Sequence, residues 1–505
     1  MRNSYINRAS QSILWLALLL FWGCSQEQKP AGDVLATVGD RIITTQDFIR
    51  RAEYTLRPDF CAGDNYIHRK IILNSLIAEK LMALEAQETS ILNQDSIFQA
   101  YLVGRQEQAM RQWLYKVEAA DRVQIDTSEM KQYFKVAGRT IDVAFFQLRG
   151  AAEIPMFQNA MDDGLEFDAI YKGLTGNDTI PKKSIKWFDR EEDTIRDALF
   201  KSEIWKNAIV GPLELRDGSV IVMQVQGWID QPVITDTQMK QRWADVSERL
   251  HERKSKAIYQ DLVADIMTGK QMKLNEAVFM PYALAAAEQY LKTEEEKKAQ
   301  LNQGIWDVEE HLESKPIEAF PDVQKSETLL TLDGEDWSVL DFERALRKHP
   351  LVFRERSMGK SDFPEQMKYA IADLIRDHFV TEYAYDKKLD QVSSVRQNVN
   401  QFKDHYTSRQ LRNDYLESVV PDSLREGISE ARLLKNYLNV YVDSLQSRYS
   451  DMVSIDMDKF EKIELTHTPM MVSQRDVPYP LIVPAFPRLT TDSRVDYGSL
   501  QSQKK

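Results

Sequence analysis

The chain has 505 residues, 43% apolar and 28% charged, with two cysteines and a formal charge of −13. That length accommodates two or three domains, the apolar share excludes a wholly disordered chain, and two thiols exclude a disulfide-stapled miniature fold. The acidic balance argues against a nucleic-acid footprint, which needs a basic face.

Residues 1–23 read as an export signal: Arg2 and Arg8, an apolar run from Ile13 to Trp22, then Gly23. The run is too short for a transmembrane helix, which needs about twenty apolar residues. A small residue directly before Cys24, followed by the polar stretch Ser25–Lys29, resembles a bacterial lipobox. The resemblance implies that Cys24 carries a lipid, and Ser25 resembles outer-membrane sorting, so the expected place is the cell envelope, at the periplasmic face of the outer membrane. An ordinary secretory signal with an incidental cysteine is the alternative. Once the signal is removed and Cys24 carries the lipid, Cys61 remains as the single free thiol, a lone buried or half-buried cysteine, and the fold must be held by packing.

Downstream, two stretches resemble each other. Leu35–Phe48 (LATVGDRIITTQDF) and Leu330–Phe342 (LTLDGEDWSVLDF) each read as strand, Gly turn and helix start. Ser75–Ala86 and Asp373–Ala384 then share apolar positions at helical spacing, and each leads into a long polar-faced helix, Asp95–Tyr115 and Ser393–Leu416. Met239, Trp243, Val246 and Leu250 form an apolar stripe on a helix predicted from Thr237 to Thr268, which ends at Gly269 and leads into the strand-like QMKLN. Glu430–Tyr449 and MVSID are its counterpart. The implied organisation is a helical module in two copies: 24–137 with its closing helix and strand in 231–280, and 326–463. A domain at 138–230 interrupts the first copy, a charged helical connector spans 281–325, and a Pro-rich extended tail covers 464–505. The expected fold class is α+β, mainly helical.

The 138–230 stretch reads strand, helix, GLEFDAI, a loop, IKWF, a short helix at DALF, the turn VGPLE and the strand DGSVIVMQV. That order and those phrases resemble the parvulin (PpiC-type) prolyl isomerase domain, and the flanking modules resemble the SurA and PrsA family of exported folding factors. The resemblance implies a chaperone module carrying a prolyl isomerase domain. An isomerase must lower a barrier of about 18–20 kcal/mol, and parvulins do so with two histidines, an acid or thiol, and a Met/Phe shelf. Here the first histidine position falls within Val143–Phe146, Val220 replaces the second, and the shelf positions fall near Glu191 and Ile195. The span 138–230 contains no histidine, so no catalytic residue is predicted.

The seven histidines show no His-x-x-x-His pair, and no phosphate-binding loop or nucleophile elbow is present. No cofactor, metal or nucleotide is expected. The expected function is an envelope chaperone that holds unfolded or partly folded proteins, with isomerase chemistry lost, and the net negative charge favours basic or neutral clients. Phe145, Phe146, Trp187 and Phe188 are the candidate client contacts, with the domain core as their other possible place. An active prolyl isomerase, or a structural lipoprotein docking on one envelope partner, are the alternative functions.

Overall fold

A computed structural model describes residues 33–86, 89–149, 152–189, 191–201, 203–215, 218–291, 325–354, 358–425, 428–466 and 477–495. In chain order the main elements begin with β1 (Val34–Val38), β2 (Arg41–Thr44), α1 (Thr45–Glu53), α2 (Tyr66–Glu85), α3 (Ser96–Glu118) and α4 (Thr127–Val136). Next come β3 (Arg139–Leu148), α5 (Glu153–Asp162), α6 (Phe167–Thr175), β4 (Lys182–Lys186), α7 (Asp193–Leu199), β5 (Ile209–Glu214), β6 (Val220–Asp230) and α8 (Asp236–Met267). The remainder comprises β7 (Met272–Leu274), α9 (Glu276–Tyr290), β8 (Thr328–Leu332), β9 (Glu335–Ser338), α10 (Val339–Lys348), α11 (Phe363–Asp386), α12 (Ser393–Val419), α13 (Asn439–Arg448), β10 (Val453–Ile455) and α14 (Met457–Glu461). The chain is therefore α+β and mainly helical, with small antiparallel sheets. It divides into two compact units, one continuous (Leu114–Ile266) and one assembled from the segments before and after it. The signal and Cys24 lie outside the described residues.

In the two-segment unit, local chemistry sets two hairpins and the helices that follow them. Thr44 caps α1, accepting from the Asp47 N–H at 3.0 Å while Asp47 accepts from the Thr44 N–H at 3.0 Å. Ser338 and Asp341 make the same reciprocal cap on α10, at 3.2 Å each way. Such boxes satisfy two orphan donors of a first turn and so mark where a helix begins. Each hairpin gains a third strand, in the orders β10-β1-β2 and β7-β8-β9. The sequence reading assigns QMKLN to the first module, yet β7 pairs Met272 with Leu332 and Leu274 with Leu330, so it completes the second hairpin. The first hairpin takes β10 from near the C-terminus, Ala36 opposite Ile455.

The core beneath β1 accordingly joins distant sequence. Leu35, Phe48, Ile72 and Leu81 pack with Leu438, Leu445 and Phe460, and the Phe48 and Phe460 rings meet edge-on at 5.8 Å. Two further segments contribute buried residues. Residues 281–290 of the predicted charged connector belong to α9, whose Phe279, Tyr282, Ala283 and Ala286 are buried; residues 292–324 lie outside the described residues. Residues 477–495 of the Pro-rich tail carry no helix or strand, but Phe486 and Leu489 are buried in the main core. Backbone carbonyls anchor this tail: Ala485 accepts from Arg51 at 2.7 Å and Asp492 from Asn74 at 2.8 Å.

The Leu114–Ile266 unit is built on a four-stranded antiparallel sheet of order β4-β3-β6-β5. Alternation along the strands sends side chains to two layers. Ile141, Val143, Met223 and Val225 meet Met130, Leu199, Val246 and Leu250 from α4, α7 and α8. Ala144, Phe146, Leu148 and Val222 meet Phe157, Phe167 and Tyr171 from α5 and α6. Both faces of the sheet are thus covered.

Candidate functional site

At one end of this sheet a cleft of about 480 Å³ opens between the start of β3, the end of β4 and the first turns of α8. Trp187, Phe188, Pro232, Ile234, Gln238 and Arg242 are among its lining residues. Gly138 shapes its floor, because a Cβ there would come within 2.5 Å of the Arg242 guanidinium. Arg242 uses that space to donate to the Gln231 carbonyl at 2.7 Å, with its guanidinium 5.7 Å from the Phe134 ring centroid. Arg139 donates to Asp230 at 3.3 Å and lies over the Trp228 ring at 4.9 Å. The rim is cationic and the walls are partly aromatic.

Strand phase divides the two aromatics that follow β4. Trp187 turns inward, 2% exposed, against Tyr133 at 5.2 Å and Phe200 at 5.4 Å. Its buried indole N–H has no hydrogen-bond partner among the described residues, an arrangement whose cost a ligand acceptor would remove. Phe188 turns outward and is 55% exposed. Ile229, Ile234, Met239 and Trp243 are also exposed. Met239 and Trp243 continue the apolar stripe of α8, whose Val246 and Leu250 are core residues. The stripe runs on past the sheet that covers it.

Of the four candidate contacts, Phe146 and Trp187 are buried, and Phe145 packs partly buried against the layer facing α8. Phe146 is surrounded by Phe157, Phe167 and Tyr171 at 5.2–6.0 Å. These rings serve the core, leaving Phe188 as the exposed member of the set. Sequence reasoning missed Ile234, Arg139 and Arg242, and it read Met239 and Trp243 as part of an apolar helical stripe without telling which part of it is covered. The signals available were Gly138 between helix and strand and the Pro232 loop before α8.

The positions that the parvulin resemblance assigns to the two histidines hold hydrocarbon. Val143 is buried on one face; Ala144, Phe146 and Val220 pack on the other. Ile195 is a core residue and Glu191 pairs with Lys183. Neither β3 nor β6 carries a histidine.

The two-segment unit holds its titratable groups differently. Glu79, fully buried, takes both Arg51 guanidinium nitrogens at 3.0 and 2.7 Å and contacts His405 Nδ1 at 3.1 Å. Burial works to raise its carboxyl, but Arg51, the His405 hydrogen bond and Lys80 prevail and hold it well below the usual carboxylate range. Lys80 and Arg41 share Asp404 at 2.9 and 3.1 Å, beside a polar pocket of about 320 Å³. A second centre, Asp377, meets His349 at 2.9 Å, Arg376 at 2.7 Å and the Tyr479 hydroxyl at 3.0 Å. Its burial opposes ionisation, yet His349, Arg376 and Arg111 bring it down to about 2. These charges face one another and are paired internally.

No model of a known protein family matches the chain, and no curated protein matches it. Among the described residues no His, Cys, Asp or Glu cluster is placed to hold a metal ion, and no helix is long and apolar enough to cross a membrane.

Proposed function

We propose that this chain is a lipid-anchored envelope protein, attached through Cys24, that holds unfolded or partly folded polypeptides and has lost prolyl isomerase chemistry. The observation that carries the reading is the cleft with the exposed Phe188 and Ile234 in its lining beside Arg139, Lys186 and Arg242, while Ile229 on β6 and Met239 and Trp243 on α8 are further exposed apolar residues of the same unit. Isolated exposed hydrophobics need no explanation, but a group of them around a concavity marks an interaction site. Aromatic and Met side chains provide adaptable contact without demanding one partner shape.

The similar hairpins at Val34–Thr44 and Thr328–Ser338, each followed by a capped helix, support a module present twice. The helix-covered sheet of the continuous unit supports a parvulin-like domain set into the first copy. Apolar residues at the positions of the missing histidines support binding over turnover. The test is a paired assay on the protein from Ser25 onward: suppression of aggregation of a denatured outer-membrane β-barrel, and cis–trans turnover of a proline peptide. Suppression with turnover at the uncatalysed rate is the expected result. Rapid turnover, or no suppression, overturns the reading.

A further inference from the structure

β4 is an outer strand of the four-stranded sheet, and its hydrogen-bonding phase is legible. The Phe145 N–H donates to the Pro181 carbonyl at 3.0 Å, and the register sets Val143 opposite Lys183 and Ile141 opposite Ile185. Residues 181, 183 and 185 therefore direct their backbone groups at β3, and 182, 184 and 186 direct theirs outward. Asp189 occupies both outward groups of Lys186: its carboxylate accepts from the Lys186 N–H at 2.7 Å and its N–H donates to the Lys186 carbonyl at 3.1 Å. The outward groups of Lys182 and Ser184 have no partner among the described residues. The opposite edge, β5, is a poor template, since Pro212 lacks an N–H and the register breaks between Val210 and Leu213.

The edge is also chemically selective. Lys182, Lys183 and Lys186 contribute three positive charges in five residues of a chain whose net charge is −13. Lys183 pairs with Glu191, whereas Lys182 and Lys186, exposed on one face of the strand, make no ion pair among the described residues. Lysines on an edge repel an identical edge, so two copies of this chain do not pair there, while a strand carrying carboxylates is attracted. β4 then runs directly into Trp187 and Phe188 at the cleft.

We infer that the outer edge of β4 takes an extended acidic polypeptide segment as an added strand, bonded to the backbone of Lys182 and Ser184 and paired in charge with Lys182 and Lys186, with a flanking apolar residue seated in the cleft. The inference rests on the polypeptide-holding reading and names the client segment. It reverses locally the preference for basic clients that net charge alone implies.

The probes are three capped heptapeptides: alternating Glu and Val ending in Phe, its Lys-for-Glu counterpart, and the Glu peptide N-methylated at alternate residues. Binding is read by calorimetry and by amide exchange at Lys182 and Ser184. The Glu peptide is expected to slow both amides, with the Lys peptide binding about tenfold more weakly, as lost cross-strand charge pairs imply, and the methylated peptide giving no protection. Lys182→Glu with Lys186→Glu should invert the preference between the two charged peptides, a reversal that loss of folding cannot mimic. Equal binding of the Glu and Lys peptides, or protection elsewhere only, overturns the inference. If the edge fails while aggregation is still suppressed, the holding function stands without it. If the Glu peptide protects these amides but aggregation is not suppressed, the edge stands and the holding function falls.

Discussion

The two units differ in how much charge they bury. In the two-segment unit, buried charges are numerous and paired: Glu79 with Arg51, Asp404 with Lys80 and Arg41, Asp377 with Arg376 and His349. In the Leu114–Ile266 unit, two apolar layers enclose the sheet, and Phe188 and Ile234 are exposed in the lining of the cleft. Buried ion pairs offset their own desolvation and leave little for an outside partner, whereas uncovered apolar surface gains free energy when something covers it. On the proposed reading the first unit serves as scaffold and the second carries the working surface.

Three measurements would break or sharpen that contrast, the largest effect first. Glu79→Ala leaves the buried Arg51 guanidinium without its carboxylate partner, and a loss of about 3–5 kcal/mol is expected in urea denaturation; a change within 0.5 kcal/mol, about the range of an ordinary surface substitution, would show that the network is not needed for the scaffold. Acid comes next. The folded carboxyl of Asp377 lies below its unfolded value, so its contribution is complete above about pH 4 and is lost as pH falls towards about 2. For this one group that amounts to about 2 kcal/mol, and Glu79 adds in the same direction. Hydrogen exchange on acidification should therefore show the two-segment unit opening before Leu114–Ile266, and the reverse order would count against the contrast. Smallest is Gly104→Ala: a Cβ on α3 would overlap the Lys348 carbonyl at the end of α10, so the backbones must part, at about 1–3 kcal/mol in denaturation.

The mainly helical α+β class was legible because 3.6-residue stripes, helix caps and Gly-marked ends are local signals. Thr44 and Ser338 with their partners three residues on, and Gly269 after α8, are of that kind. The partners of β7 and β10 were not legible: three-residue strands carry too little pattern to choose between two similar hairpins. Nor was the packing of the tail, where Pro-rich composition concealed Phe486 and Leu489, which are buried by a core built from both chain ends. Within the site, alternation separates Trp187 from Phe188 but cannot tell which face other elements cover. For the same reason the spacing of the α8 stripe does not show that Val246 and Leu250 meet the core while Met239 and Trp243 stay exposed.

The most direct test of the working surface is site-specific photocrosslinking to a denatured β-barrel client. One probe replaces Phe188, which lines the cleft and is 55% exposed, and the other replaces Val352, an apolar residue of the two-segment unit that is 69% exposed. The account predicts client adducts at 188, competed away by excess unlabelled client, with 352 at background. Equal crosslinking at both positions, or adducts at 352 alone, would contradict it.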